Sequence, residues 1–341
     1  MGTKRIESVD TVADRIRNGL KYVPADKLVP APDCVPNIKM ERKVMHRRNL
    51  LFVLGTLAAR SAPAWARRDI DTVIGELTQL TAPGNGDNRA TYMPDGKALL
   101  FVSSRSGRSQ IWRMDPNGGG THLVQESQAN DYGRVAPSPN GQYLCFSSDR
   151  DGENAIYVMD LQSGGVTRIS DPAYWSFGPA WSSRGLIAYF SRKGGNRINT
   201  WTVRPDGTEA RQITDRPGES RQPWWSPDGR TLAYSVDSNT GAFQLWLSAE
   251  DGSNAHAITT EGDWQQPFFS PNGRQIAVSG KLDTSAFHIV VMNVDGSGIR
   301  KISQPENSDN VHPAWSPDGR SIVFTSGENR SGALWRFTFT Q

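Results

Sequence analysis

Cysteine is almost absent from this chain: 341 residues contain only Cys34 and Cys145, which lie in different segments. Neither a disulfide framework nor a paired-cysteine metal site can be read from them. Cys145 falls in the apolar run YLCFSS and reads as a small buried strand residue. Histidine is equally sparse, at positions 46, 122, 256, 288 and 312, and the sequence has no GxSxG elbow and no HExxH pair. The common signatures of serine hydrolases and zinc peptidases are therefore missing. Also missing is an apolar run long enough to cross a bilayer, because the stretch Leu50 to Ala59 has ten residues. No transmembrane segment is expected.

The formal charge of +3 and pI near 8.9 would suit a polyanion partner only if the charge lay on the folded body. It does not: residues 1–66 hold 12 of the 38 basic but only 6 of the 35 acidic residues, which leaves 26 basic and 29 acidic residues beyond. That remainder offers no net positive field, so a nucleic-acid partner is not expected.

The apolar run is preceded by His46, Arg47 and Arg48 and followed by SAPAWA, ending at Ala66. A basic start, a short apolar stretch and small residues at Ala64 and Ala66 are the three parts of a secretory signal peptide. Met45 would begin such a signal, and the Arg47–Arg48 pair loosely resembles a twin-arginine signal. The reading is an export signal over 45–66, of the Sec or the twin-arginine type, and a periplasmic or secreted protein.

From residue 71 onward the chain repeats itself. A turn recurs as MPDGK, SPNGQ, SSRG, SPDGR, SPNGR and SPDGR, with the proline or its equivalent at 94, 139, 183, 227, 271 and 317. The intervals of 45, 44, 44, 44 and 46 residues indicate a repeat architecture. Proline fixes φ at the first turn position, and Asp-Gly or Asn-Gly accepts the left-handed conformation that follows, so each copy should join two strands. An apolar run follows every turn, and a third strand comes about ten residues later, with Trp112, Tyr157, Trp201, Trp246, Val290 and Trp335 in equivalent places. Stretches such as THLV, VTRIS, ARQIT, AHAIT and IRKIS supply a fourth. Four strands in 44–46 residues describe a propeller blade better than a solenoid repeat. The sixth copy stops before its fourth strand, and Glu76–Thr81, ELTQLT, is expected to provide it and close the ring, which removes exposed sheet edges. The fold class is all-β, a six-bladed propeller over 71–341.

The DGxxxxIT strand and the PxWSPDG anchor, in six copies, resemble the TolB-like propeller family over nearly all of residues 71–341. That resemblance implies a binding or scaffold role in the bacterial cell envelope, where TolB works with the lipoprotein Pal. TolB carries an additional α/β domain before its propeller, for which Ala66 to Asp71 leave no room, so the resemblance implies a relative of TolB. Upstream, Ile6–Lys39 shows helix periodicity through Val12, Ile16 and Leu20, then Leu28–Val29 ending in PDC. This resembles the last αβ unit of cobalamin-independent methionine synthases, in which the Cys of a PDCG sequence, here Cys34, is a zinc ligand. Val35 replaces the Gly and the other ligands are missing, so residues 1–44 are expected to be a remnant or a mispredicted extension without methyltransferase activity.

Propellers bind at the mouth of the central channel, through the loops that lead into each innermost strand. Counting back eight residues from each anchor gives Gly86, Asp131, Trp175, Glu219, Asp263 and Asp309; counting back five gives Arg89, Arg134, Gly178, Gln222, Gln266 and His312. The expected binding rim is Asp131, Arg134, Trp175, Glu219, Gln222, Asp263, Trp264, Gln266, Asp309 and His312, with Trp175, Phe177, Trp224 and Trp264 as aromatic anchors. A solvated acidic loop face with aromatics packed between blades is the plainer alternative. A propeller hydrolase or lyase is another, and would need His312 within hydrogen-bond reach of a carboxylate such as Asp263 or Asp309. No cofactor and no metal are expected; the partner is expected to be a protein or peptide, and the protein a monomer.

Mass spectrometry of the abundant species in cells carrying the native gene should find Arg67 as the mature N-terminus. Intact residues 1–44 on that species would overturn the export reading.

Overall fold

The computed structural model describes residues 71–238, 241–281, 286–302, 304–306, 308–327 and 332–340. The chain divides into two units, Met1–Ser61 and Ala62–Gln341, and the described residues belong to the second. Residues 1–44, Cys34 and the 45–66 export signal lie outside them.

Two short strands open the described chain, β1 (Thr72–Val73) and β2 (Gly75–Gln79). Blade 1 follows as β3 (Asn88–Tyr92), β4 (Leu99–Ser103), β5 (Gln110–Met114) and β6 (His122–Leu123). Blade 2 is β7 (Asp131–Pro137), β8 (Tyr143–Ser148), β9 (Ala155–Asp160) and β10 (Val166–Arg168). Blade 3 is β11 (Ser176–Trp181), β12 (Ile187–Ser191), β13 (Asn199–Val203) and β14 (Arg211–Gln212). Blade 4 is β15 (Ser220–Trp225), β16 (Thr231–Asp237), β17 (Phe243–Ala249) and β18 (His256–Ala257). Blade 5 is β19 (Asp263–Phe269), β20 (Gln275–Lys281), β21 (His288–Asn293) and β22 (Arg300–Ile302). Blade 6 is β23 (Asn310–Trp315), β24 (Ser321–Ser326) and β25 (Ala333–Phe339). Each blade is an antiparallel meander in sequence order, and blade 6 takes β2 as its fourth strand.

The expected periodicity appears as register. Phe101 faces Trp112, Phe146 faces Tyr157, Tyr189 faces Trp201, Tyr234 faces Trp246, Val278 faces Val290, and Phe324 faces Trp335. One apolar cluster fills each gap between neighbouring blades. For example, Val102 and Ile111 of blade 1 pack on Leu144 and Phe146 of blade 2, whereas Ala90 and Phe101 of blade 1 pack on Ala314, Val323 and Leu334 of blade 6. No blade can bury both of its faces alone, so the ring itself provides the core.

Ring closure follows the expected pairing and adds to it. β2 runs antiparallel to β25 from Gly75 opposite Phe339 to Gln79 opposite Trp335. Leu80 N–H then donates to the Leu334 carbonyl (2.8 Å), and Leu334 N–H donates to Thr81 Oγ1 (3.0 Å). The unforeseen part is β1, which pairs parallel with β22 of blade 5, Thr72 opposite Lys301 and Val73 opposite Ile302. The leading segment thus fastens two blades.

Deleting 71–81 should remove a complete strand ladder and the Leu77 and Leu80 contacts, lowering stability by several kcal/mol out of the roughly 5–15 kcal/mol of an ordinary domain. Deleting only 71–74 should cost much less. Thermal denaturation followed by circular dichroism checks this, and equal melting temperatures for the longer deletion and wild type would contradict the closure.

Candidate functional site

Every innermost strand is interrupted by a bulge at the same depth. The pairing of first and second strands skips between Asn88 and Thr91, Phe177 and Ala180, Arg221 and Trp224, Gln265 and Phe268, and Val311 and Ala314. The bulged residue has positive φ in each case: Arg89 (58°), Gly178 (62°), Gln222 (56°), Gln266 (61°) and His312 (59°). Four of these are not glycine, which costs about 1 kcal/mol or more apiece and marks a place where side chains matter.

The bulges are tied across blade boundaries. Gly178 N–H donates to Ser147 Oγ of blade 2 (2.9 Å), and Arg89 N–H donates to Thr325 Oγ1 of blade 6 (3.0 Å). Gln266 N–H donates to Gln222 Oε1 of blade 4 (3.1 Å). His312 N–H is shared between Gln266 Oε1 (2.8 Å) and Ser279 Oγ (3.1 Å) of blade 5. Ser279 Oγ also donates to Gln266 Oε1 (2.6 Å). These donors fix the Gln266 amide, so its Nε2 is the donor to His312 Nε2 at 3.0 Å. His312 is therefore neutral with its proton on Nδ1, and that buried Nδ1 has no partner. Burial, then the charges of Arg89 and Arg134, hold its pKa well below the ordinary histidine value.

Blade 2 departs from the others. Its skip runs from Tyr132 to Ala136, one residue longer, and the positive φ falls on Gly133 (73°). A Cβ on Gly133 would lie 3.2 Å from the Phe177 ring. The extra residue is Arg134, whose side chain crosses the channel: Nη2 donates to the Pro313 carbonyl of blade 6 (2.9 Å), and the guanidinium lies 5.1 Å from the Trp224 ring and 5.0 Å from that of Phe268. Arg89 lies over Phe177 at 5.7 Å. Arg89, Arg134, Gln222, Gln266 and His312, with Phe177, Phe190, Trp224 and three prolines, enclose a cavity of about 90 Å³. Desolvation pushes Arg89 down to about 10, and desolvation with the charge of Arg89 pushes Arg134 down to about 9. Both stay charged at neutral pH. A second cavity, about 240 Å³, lies on the anchor-turn side and is lined by Trp181, Trp225, Trp315 and the turn prolines.

The extra residue also corrects the register read for Asp131. Asp131 is opposite Ser148, as Ser176 is opposite Ser191 and Asn310 opposite Ser326, so it belongs with Ser176, Ser220, Trp264 and Asn310 rather than with Trp175, Glu219, Asp263 and Asp309. Its counterpart in blade 1 is Asp87. Asp87 pairs with Arg105 (2.8 Å) and Asp131 with Arg150 (3.0 Å), and each arginine lies over the aromatic pair of its own blade. Burial pushes the Asp131 carboxyl up, against the pull of Ser148 and Arg150.

The other expected carboxylates also have partners in the fold. Asp263 Oδ1 accepts from Phe243 N–H (3.0 Å) and Gln265 Nε2 (3.0 Å), Asp309 Oδ1 accepts from Phe287 N–H (2.6 Å), and Glu219 pairs with Arg221. Asp263 and Asp309 thereby hold the start of the third strand of the preceding blade. His312 meets Gln266 and two guanidiniums, so the His–carboxylate pair required by the enzyme alternative is not formed by these residues.

Trp264 is not an accessible anchor. It is buried at 2% exposure, its Nε1 donates to the Glu261 carbonyl (2.6 Å), and it lies over Gly280 across the strand, where a Cβ would come within 2.5 Å of the indole. Trp175, in contrast, is half-buried and stacks on Phe177 (5.7 Å, 3°), with Phe190 edge-on and Arg192 5.6 Å from its ring. Tyr174 beside it is 38% exposed. Sequence reasoning missed Phe190, Arg192, Tyr174 and the latching hydroxyls of Ser147, Ser279 and Thr325. The hydroxyls had a signal, since all three occupy one strand position of the repeat.

The family profile described as TolB beta propeller domain matches residues 138–340. Tol-Pal system protein TolB of Nitratidesulfovibrio vulgaris is 38% identical over 64 residues, 18% of this chain and 14% of that protein. A Protein TolB homolog of Chlorobium luteolum is 30% identical over 153 residues, 45% of this chain and 34% of that protein. The chain thus spans well under half the length of either relative. A solved structure of putative TolB from Agrobacterium tumefaciens superposes with a TM-score of 0.58 at 21% identity, covering 75% of this chain and 91% of that one. These matches rest on the propeller and lend no support to a methionine synthase origin for residues 6–39. A profile that matches more than half of the chain, on the six-bladed architecture described above, places this protein in the TolB beta propeller domain family.

Proposed function

We propose that this chain is a non-catalytic binding protein of the bacterial cell envelope, related to TolB, which holds a protein or peptide partner against the leading-loop end of its propeller. The observation that carries the reading is the aromatic step on blade 3. Tyr174 is exposed, and Trp175 is held flat on Phe177 with Arg192 beside it. An aromatic already fixed in one rotamer loses little entropy on binding, which is why such residues dominate interfaces. The step borders the channel cavity, where Gln222 and His312 present polar atoms at the same end of the propeller. The two Tol-named relatives support an envelope setting, as does the export signal read in 45–66. Asp131, Glu219, Asp263 and Asp309 then shape the loops, and contact falls mainly to Trp175, Phe177 and the cavity mouth.

Two tryptophan variants separate contact from packing. Trp175→Ala should weaken capture of the partner from an envelope extract by about 2 kcal/mol, with a near-native melting temperature. Trp264→Ala should lower stability by about 3–5 kcal/mol, because it empties a filled site against Gly280. If Trp175→Ala captures the partner as wild type does, while Trp181→Ala on the anchor-turn side abolishes capture, the wrong end of the propeller has been chosen.

A further inference from the structure

We propose that the central cavity binds an organic carboxylate, held between the guanidinium groups of Arg89 and Arg134 with its carbon stem against the aromatic and proline walls. The proposal deepens the binding reading above and rests on it only for the end of the channel that is used.

Arg134 is 9% exposed and Arg89 half-buried, and they converge on one cavity from blades 1 and 2. Among the described residues, no carboxylate lies within ion-pair distance of either. In the same two blades the half-buried Arg105 and Arg150 do have carboxylate partners, Asp87 and Asp131. Two like charges withdrawn from water without a counter-charge are costly, and an anion placed between them relieves both their desolvation and their mutual repulsion. What the pair has instead is ring faces, Phe177 under Arg89 and Trp224 and Phe268 about Arg134. Ring faces orient a guanidinium and leave its N–H edges open.

The donor set describes the ligand. One Arg134 nitrogen is committed to the Pro313 carbonyl, and the remaining fork, with that of Arg89, suits the planar two-oxygen edge of a carboxylate. The unpartnered His312 Nδ1–H is a further neutral donor beside them. Both polar ends of the Gln266 amide and Oε1 of Gln222 are already engaged in the latch, which leaves the two guanidinium forks as the charged donors of the site. Phe177, Phe190, Trp224, Pro179, Pro223 and Pro267 form the rest of the wall, which suits carbon rather than oxygen. The backbone supports the same view. Arg89 and His312 occupy left-handed positions, and that strain is retained where the side chain's position is needed.

The full-length protein can be titrated with benzoate by calorimetry at neutral pH, with benzamide as the uncharged isostere. Benzoate should bind and benzamide should not. Arg89→Gln should weaken benzoate about tenfold or more, as expected when one charged hydrogen-bonding partner is removed. Arg89 is the variant of choice because its latch uses the backbone N–H, which the substitution keeps, whereas Arg134 also spans the channel. A capped peptide with one central Glu, run beside its Gln counterpart, distinguishes the sources. Binding of benzoate alone assigns a free small acid, and binding of the Glu peptide assigns an acidic side chain of a protein. Either result, if reduced by Arg89→Gln, supports the proposal. Absence of binding by both, equal binding of benzoate and benzamide, unchanged affinity in Arg89→Gln, or saturation by inorganic phosphate that benzoate cannot displace would overturn it. Failure to capture a protein while benzoate still binds would overturn the partner reading and leave the carboxylate site standing.

Discussion

Each innermost strand gives up its regular pleat at one depth in the channel, where a left-handed residue stands, and in blades 1, 3, 5 and 6 that residue's N–H donates to a side chain of the neighbouring blade. For Arg89, Gln266 and His312 the strain of that conformation is offset by the hydrogen bonds they gain, each worth about 1 kcal/mol net. A propeller without these latches would rely on apolar contacts alone to set the angle between blades, and such contacts have no direction. The latches supply direction, with Ser147, Ser279 and Thr325 as acceptors. The cavity is the space left when that angle is fixed.

Charge is handled differently at the rim and at the axis. Around the leading loops every carboxylate discussed has found a cation or a backbone N–H, so the ring of acids serves the architecture. At the axis the opposite holds, because two arginines meet with aromatic faces and, among the described residues, no acid. The neighbouring acids of blades 1 and 2, Asp87 and Asp131, are paired with Arg105 and Arg150. Two cations of blades 1 and 2 thus converge on one small volume while two others of the same blades are paired.

Most of the fold could be read from the sequence because its anchors are turns, whose residues are constrained by φ and not by distant partners. Regular intervals between turns therefore translate directly into strand register, as the Phe101–Trp112 to Phe324–Trp335 series shows. Counting from an anchor fails where a residue is inserted between the anchor and the site, which is what Arg134 does in blade 2. The repeated spacing of Ser103–Arg105 and Ser148–Arg150 carried the true alignment of Asp87 with Asp131. Trp264 was misjudged for a related reason: a tryptophan near a loop looks available, and only Gly280, a glycine inside a strand, signals that a large ring lies across it. The convergence of Arg89, Arg134 and His312 had no local signal, since the ring brings together residues up to 223 positions apart.

The way the ring is fastened also sets an order of events in folding. β2 is among the first parts of the propeller to be synthesised, and its partner β25 is the last strand, so the closing ladder joins residues such as Gly75 and Phe339. A contact of that sequence separation bears nearly the full loop-closure entropy of the domain, and it cannot form until the last blade exists. Blades 1 to 5 can pack in sequence on their neighbours, but blade 6 and the faces on either side of it stay open to solvent until the two ends meet. Until then the chain is an open line of blades whose two end faces still expose apolar surface, the stage at which association with another copy competes with closure.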